Sequence, residues 1–78
     1  MQTTLAHLKR GEIAVITDVS SSQIPLKLLE MGCLPGSQVE LVQIAPFKDP
    51  IYLNINGTHL AIRKDTASHI LIEKLSHE

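Results

Sequence analysis

The stretch Leu28-Leu29-Glu30-Met31-Gly32-Cys33-Leu34-Pro35-Gly36-Ser37-Gln38-Val39 constrains this chain more than any other. It reads as the last turn of a helix, a glycine stop, a Pro-Gly turn and the start of a strand. Gly32 can take the left-handed conformation that closes a helix without a Cβ clash. With Gly32 one residue past the cap, a Schellman-type ending brings Cys33 against Leu28. Pro35 presets φ at the second position of a tight turn, and Gly36 supplies the positive φ that a type II turn needs next.

The flanking segments are mostly strand-like. Thr3 or Thr4 is placed to cap a short turn through Leu5, Ala6 and Leu8, ended by Gly11, as a strap over one end of the core. Glu12 to Val19 reads as a first strand, with Ile13, Val15 and Val19 on one side and Ala14 and Ile16 on the other. Apolar residues on both faces suit a tightly curled barrel. The polar run Ser20-Ser21-Ser22 offers helix N-caps. Pro25 falls in the first turn of a helix over about Ile24 to Met31, whose apolar side is Ile24, Leu28 and Met31 with Leu29 flanking. Lys27 and Glu30 can pair on its wet side.

Ser37 to Ala45 is the second strand, with Val39 and Leu41 on one side and Val42 and Ile44 on the other. The loop Ala45-Pro46-Phe47-Lys48-Asp49-Pro50 is braced by two prolines, and Asp49, ahead of Pro50, is pushed to an extended conformation. Ile51, Leu53 and Ile55 alternate with Tyr52, Asn54 and Asn56 in a half-buried strand. Asn56-Gly57 signals a type I′ hairpin into the return strand Thr58 to Arg63, where Leu60 and Ile62 face one way. Asp65 is placed to cap a short turn over Thr66 to His69, and Ile70 to Leu75 forms the last strand before a frayed Ser76-His77-Glu78. About five short strands and one inserted α-helix define a mostly β fold, a small barrel of the SH3-like type over residues 1–78 as one domain.

Composition narrows the function. At 78 residues there is room for one core, and a chain this size buries only about 60% of its extended surface. The net charge of −1 and an aromatic content of 3% supply neither the basic surface nor the stacking platforms of a nucleic-acid binder. One cysteine allows no internal disulfide and no Cys-x-x-Cys knuckle. The amino end lacks a charged start followed by an apolar run, and no apolar run approaches a membrane span, so a cytoplasmic location is expected.

No catalytic constellation is visible. A P-loop, Gly-x-Ser-x-Gly and His-Glu-x-x-His are all absent. Cys33 follows the helix stop, where the helix dipole opposes a thiolate, and reads as a buried packing residue. His7, His59, His69 and His77 lack ligand spacing and read as surface side chains, so neither a metal nor a cofactor is expected. What remains is a partner-binding module. Its apolar candidates are Phe47, either an exposed anchor or a lid folded onto the barrel, and Leu34, which reads first as core.

Four segments together carry a family resemblance: Leu8-Lys9-Arg10-Gly11-Glu12; Leu28 to Gly36; Ala45-Pro46-Phe47-Lys48-Asp49-Pro50; and Ile62-Arg63 with Ala67 and Ile70. On these residues the sequence resembles the FeoA family, small cytosolic proteins of bacterial ferrous iron transport. It differs from the family's pattern in a helix that is less basic ahead of its Leu-Leu and in Cys33, where a larger apolar residue is usual. The resemblance implies an SH3-like barrel that docks on the cytosolic GTPase region of the FeoB membrane transporter and supports iron uptake. By the same analogy the contact surface is Lys27 and Glu30, the turn with Leu34, Pro35 and Gly36, and the loop with Phe47, Lys48 and Asp49. Two alternatives stand beside it: a regulatory module akin to the C-terminal domain of iron-dependent repressors, and a small metal-binding protein. Open edge strands also leave a homo-oligomer as an expectation.

Overall fold

The alternation of Ile51, Leu53 and Ile55 with polar residues needs a sheet with one dry face, and the chain builds one. The computed structural model describes residues 2–20 and 22–75. Its strands are β1 (Gln2–Thr4), β2 (Ile13–Val19), β3 (Gln38–Ile44), β4 (Ile51–Ile55), β5 (Thr58–Ile62) and β6 (Ile70–Lys74). They form one antiparallel sheet in the order β1-β6-β2-β3-β4-β5. The sheet curls into a small barrel of the SH3-like type. Ile16, Val39, Leu41, Leu53, Ile55, Ile70 and Ile72 are fully buried on its inner face.

Two helices interrupt the sheet, α1 (Leu26–Glu30) between β2 and β3 and α2 (Lys64–Ala67) between β5 and β6. The first is shorter than its sequence pattern predicts. Pro25 sits at the N-cap with an extended ψ of 140° instead of inside the first turn. Ile24 precedes a proline and is therefore disfavoured from the helical region; it is buried ahead of the helix. Lys27 and Glu30 are both exposed and make no ion pair among the described residues.

The helix ends as its sequence requires. Gly32 has φ 102°, its N–H donates to the Leu29 carbonyl at 3.2 Å, and the Cys33 N–H reaches back to Leu28 at 3.1 Å. This is the Schellman pair of bonds, and it draws Cys33 into the core. Burial pushes the Cys33 thiol pKa up. A type II turn follows: Gly36 has φ 93° and the Ser37 N–H donates to Leu34 at 3.0 Å.

The amino end departs from the expected capped turn. Gln2–Thr4 adds a strand against β6, so the sheet has six strands, and a 3-10 turn at Leu5–His7 follows. Thr4 makes no side-chain cap; its hydroxyl lies 3.0 Å from His7 Nδ1. The strap itself is as expected, with Leu5 and Leu8 buried and His7 exposed. The Ser21 and Ser76–Glu78 expectations lie outside the described residues.

Glu12 does not open the strand. It sits one residue ahead of β2 with its side chain turned inward, where Oε1 accepts the Lys9 N–H at 2.6 Å and lies 3.3 Å from Lys74 Nζ. The Lys9 amide bond, with Lys74 adding to it, holds this carboxyl below the usual glutamate range against the opposing effect of burial. The contact ties the Lys9–Glu12 turn to the far end of β6.

Two outcomes follow. Gly32→Val should destabilise the fold by more than about 1 kcal/mol in denaturant melts, because a β-branched residue resists positive φ even where its Cβ has room; Gly32→Asn should cost less. Glu12 has a folded pKa below its unfolded one. Its stabilisation is present above the unfolded value, about 4.3, and is lost as pH falls through the folded one. Wild type should therefore lose stability on acidification below about pH 4.3 more steeply than Glu12→Gln, as read by melts at pH 7 and pH 3.

Candidate functional site

The residues expected to form one contact surface fall into two groups at opposite ends of β3. Lys27 and Glu30 lie exposed on α1, beside the Leu34–Gly36 turn that leads into β3. Phe47, Lys48 and Asp49 lie in the loop that leaves it. Seven strand residues separate the groups, a run of about 20 Å. One partner surface touching both would have to run the length of the barrel.

The first group is rigidly placed. The Gly36 N–H donates to the Ile16 carbonyl at 2.7 Å, and the Ile16 N–H donates to Ser37 at 2.9 Å. Leu34 is 46% exposed and does not join the core. The reason is that its neighbour Cys33 takes the inward position set by the Schellman closure, which leaves Leu34 on the outside of the turn.

The second group is an ordered loop. The Lys48 N–H donates to Ala45 at 2.7 Å, Lys48 has φ 70°, and the Ala45 N–H donates to Pro50 at 3.1 Å. Phe47 sits at the tip, 93% exposed, so it is no lid on the barrel. Asp49 is held from the other side. Its Oδ1 accepts the Lys64 N–H at 2.9 Å and its Oδ2 lies 3.4 Å from Arg63 Nε. Asp49 thus supplies the N-terminal acceptor of α2 from 15 residues away. Asp65, expected to cap that turn, instead lies within it.

A second feature was not singled out by the sequence. A groove of about 560 Å³ crosses the outer face of β3, β4 and β5, lined by Val42, Pro46, Tyr52, His59 and Ala61 among others. A bulge between Leu41 and Gln43 makes Val42 an extra residue in the strand and leaves it exposed. Tyr52 and Ala61 pair across β4 and β5 on the same outer face. The alternation signal places both residues outward, but it gives no hint of the bulge that opens a concavity beside them. Below the groove the same face turns polar, with Gln38, Glu40, Asn54 and Asn56.

Among the described residues no group of three His, Cys, Asp or Glu side chains is placed to hold a metal ion. No helix there is long and apolar enough to cross a membrane.

Residues 3–74 match the model of the FeoA domain family. A relative from Porphyromonas gingivalis, a fusion of Fe(2+) transport protein A with the Fe(2+) transporter FeoB, is 36% identical over 73 residues; the match covers 92% of this chain, which spans only 9% of that protein's length. The FeoA-like protein of Clostridium acetobutylicum superposes with a TM-score of 0.88 at 27% identity, covering 99% of this chain and 91% of that one. The FeoA of Stenotrophomonas maltophilia, described as an SH3 domain protein and complexed with zinc, gives 0.77 at 25% identity over 91% and 89% of the two chains. IdeR of T. acidophilum and manganese-dependent transcriptional repressors, at 16–20% identity, share the fold alone, and this chain spans 34–42% of them.

Removing the Asp49 carboxylate should leave the first amide of α2, that of Lys64, uncapped. Asp49→Ala should lower stability by about 0.5–2 kcal/mol in denaturant melts and speed hydrogen exchange at the Lys64 amide, while Asp65→Ala leaves that amide unchanged.

Proposed function

This chain belongs to the FeoA domain family, and from that we propose that it acts as one accessory module of ferrous iron uptake. Its role in this reading is binding rather than chemistry. It docks from the cytoplasmic side on the GTPase region of a FeoB-like transporter and supports or regulates transport. The observation that carries the reading is the Porphyromonas gingivalis relative, in which the corresponding module and FeoB share one chain. The contact residues of the proposal are Lys27, Glu30, Leu34, Pro35, Gly36, Phe47, Lys48 and Asp49. Phe47 leads them, because its backbone is already ordered by the loop and its ring loses only exposure on binding.

A regulatory module of the repressor type is the second reading, favoured by the shared fold. It predicts binding to a DNA-binding chain rather than to a GTPase.

Titration against the purified cytosolic GTPase region of the cognate FeoB-like transporter, with GDP and with a GTP analogue, tests the proposal. Saturable binding is expected. Phe47→Ala should weaken it by roughly tenfold with an unchanged melting temperature. Equal affinity in a folded Phe47→Ala variant would remove Phe47 from the contact, and no binding by wild type in either nucleotide state would sink the docking role.

A further inference from the structure

Strand β5 ends the sheet, and no strand pairs with its far side among the described residues. Its hairpin fixes which backbone groups are left over. A two-residue Asn56-Gly57 turn makes Ile55 and Thr58 a hydrogen-bonded pair, and the alternation of an antiparallel ladder continues that pattern at Leu53 with Leu60 and Ile51 with Ile62. His59 and Ala61 therefore turn their N–H and C=O groups to the open edge.

Edges of this kind are normally blunted by lysine, proline, a bulge or a covering loop. The segment Thr58-His59-Leu60-Ala61-Ile62 has no charged residue and no proline, and its register with β4 is unbroken. The other edge, β1, is only three residues long.

The groove lies next to this edge. Its lining contains no Lys, Arg, Asp or Glu, and His59 and Ala61 form its rim. Tyr52 stands one strand in from the edge and Val42 two, at about 4.8 Å per strand. A strand added outside β5 lies two spacings from Tyr52 and three from Val42, so a large apolar side chain on it extends over Ala61 toward Tyr52 and falls short of Val42. A second copy pairing through its own β5 would bring only His59 and Ala61 on that face, which are too polar and too small.

We infer that β5 is a strand-addition site: an extended, uncharged segment of the FeoB-like partner pairs with the His59 and Ala61 backbone and lays alternate large apolar side chains into the groove, over Ala61 toward Tyr52. This rests on the docking reading above, and it names a surface that reading does not use.

The test uses the purified cytosolic region of the FeoB-like protein as the probe, with amide hydrogen exchange and affinity as readouts. Wild type should show at least tenfold slower exchange at the His59 and Ala61 amides in the complex. Ala61→Pro removes an edge donor that the β4 ladder does not use, and Ala61→Lys puts a charge at the rim of the groove. Each should weaken binding at least tenfold, and Ala61→Lys carries the test if Ala61→Pro fails to fold. Wild-type binding with unaltered affinity in the folded variants and no protection at β5 overturns the inference and leaves docking intact. No wild-type binding overturns both. A concentration-dependent dimer that protects the same two amides without the partner would assign the edge to a second copy instead.

Discussion

Two hydrogen bonds at Ile16 hold the architecture together. Its carbonyl receives the Gly36 N–H and its own N–H reaches the Ser37 carbonyl. These bonds pin the Pro-Gly turn to the middle of β2, so the excursion through α1 must return at one point and β3 must start in one register. From that register follow the pairings of Val39 with Ile55 and Leu41 with Leu53, and with them the inward face of three strands. A one-residue slip in β3 would carry Val39 and Leu41 to the water side. The Schellman closure at Gly32 serves the same end by delivering the chain to the turn in the right direction. A Cβ at Gly32 would face Ile55 and Asn56, so the helix stop itself lies beside the β4–β5 turn.

Local signals were legible where one residue's chemistry decides the outcome. Gly32, Pro35-Gly36, Asn56-Gly57 and the alternation of Ile51, Leu53 and Ile55 each specify a backbone conformation within a few residues, and all appear as read. The mostly β barrel with its inserted helix follows from them. What escaped depends on partners far away in sequence. Thr3 and Thr4 are strand residues only because β6 lies beside them. Glu12 turns inward because Lys9 and Lys74 meet it there, and Lys74 is 62 positions away. Asp49 caps α2 across 15 residues, a role that local spacing alone assigns to Asp65.

The candidate surface was legible only in part, for the same reason. Side-chain chemistry marked Phe47 as an anchor or a lid, and its exposure at the loop tip rules out the lid. Leu34 gave the wrong impression, since an isolated leucine beside a turn is more often buried; the inward place there belongs to Cys33. The groove was not readable, because a bulge is a mismatch between two strands and neither strand carries it alone. The bulge in β3 at Val42 opens a concavity on the face that simple alternation assigns to water.

The physical character of these surfaces bears on how a module like this can hold a partner. With a net charge of −1, long-range steering contributes little, so association falls in the range of unsteered encounters and affinity must come from buried contact. An ordered aromatic tip and an unpaired strand edge are groups suited to such contact, since both are ordered beforehand and would lose little entropy on binding. In the fused relative the two modules share one chain. A covalent link makes any contact between two modules intramolecular, at an effective concentration that reaches the millimolar range for short flexible linkers, so even a weak contact would then be occupied. Between separate chains a contact would have to be stronger, or the concentration higher, to reach the same occupancy, and exposed apolar groups outside the core, Phe47, Leu26, Leu34, Val42 and Tyr52 among them, are the surface that could supply it.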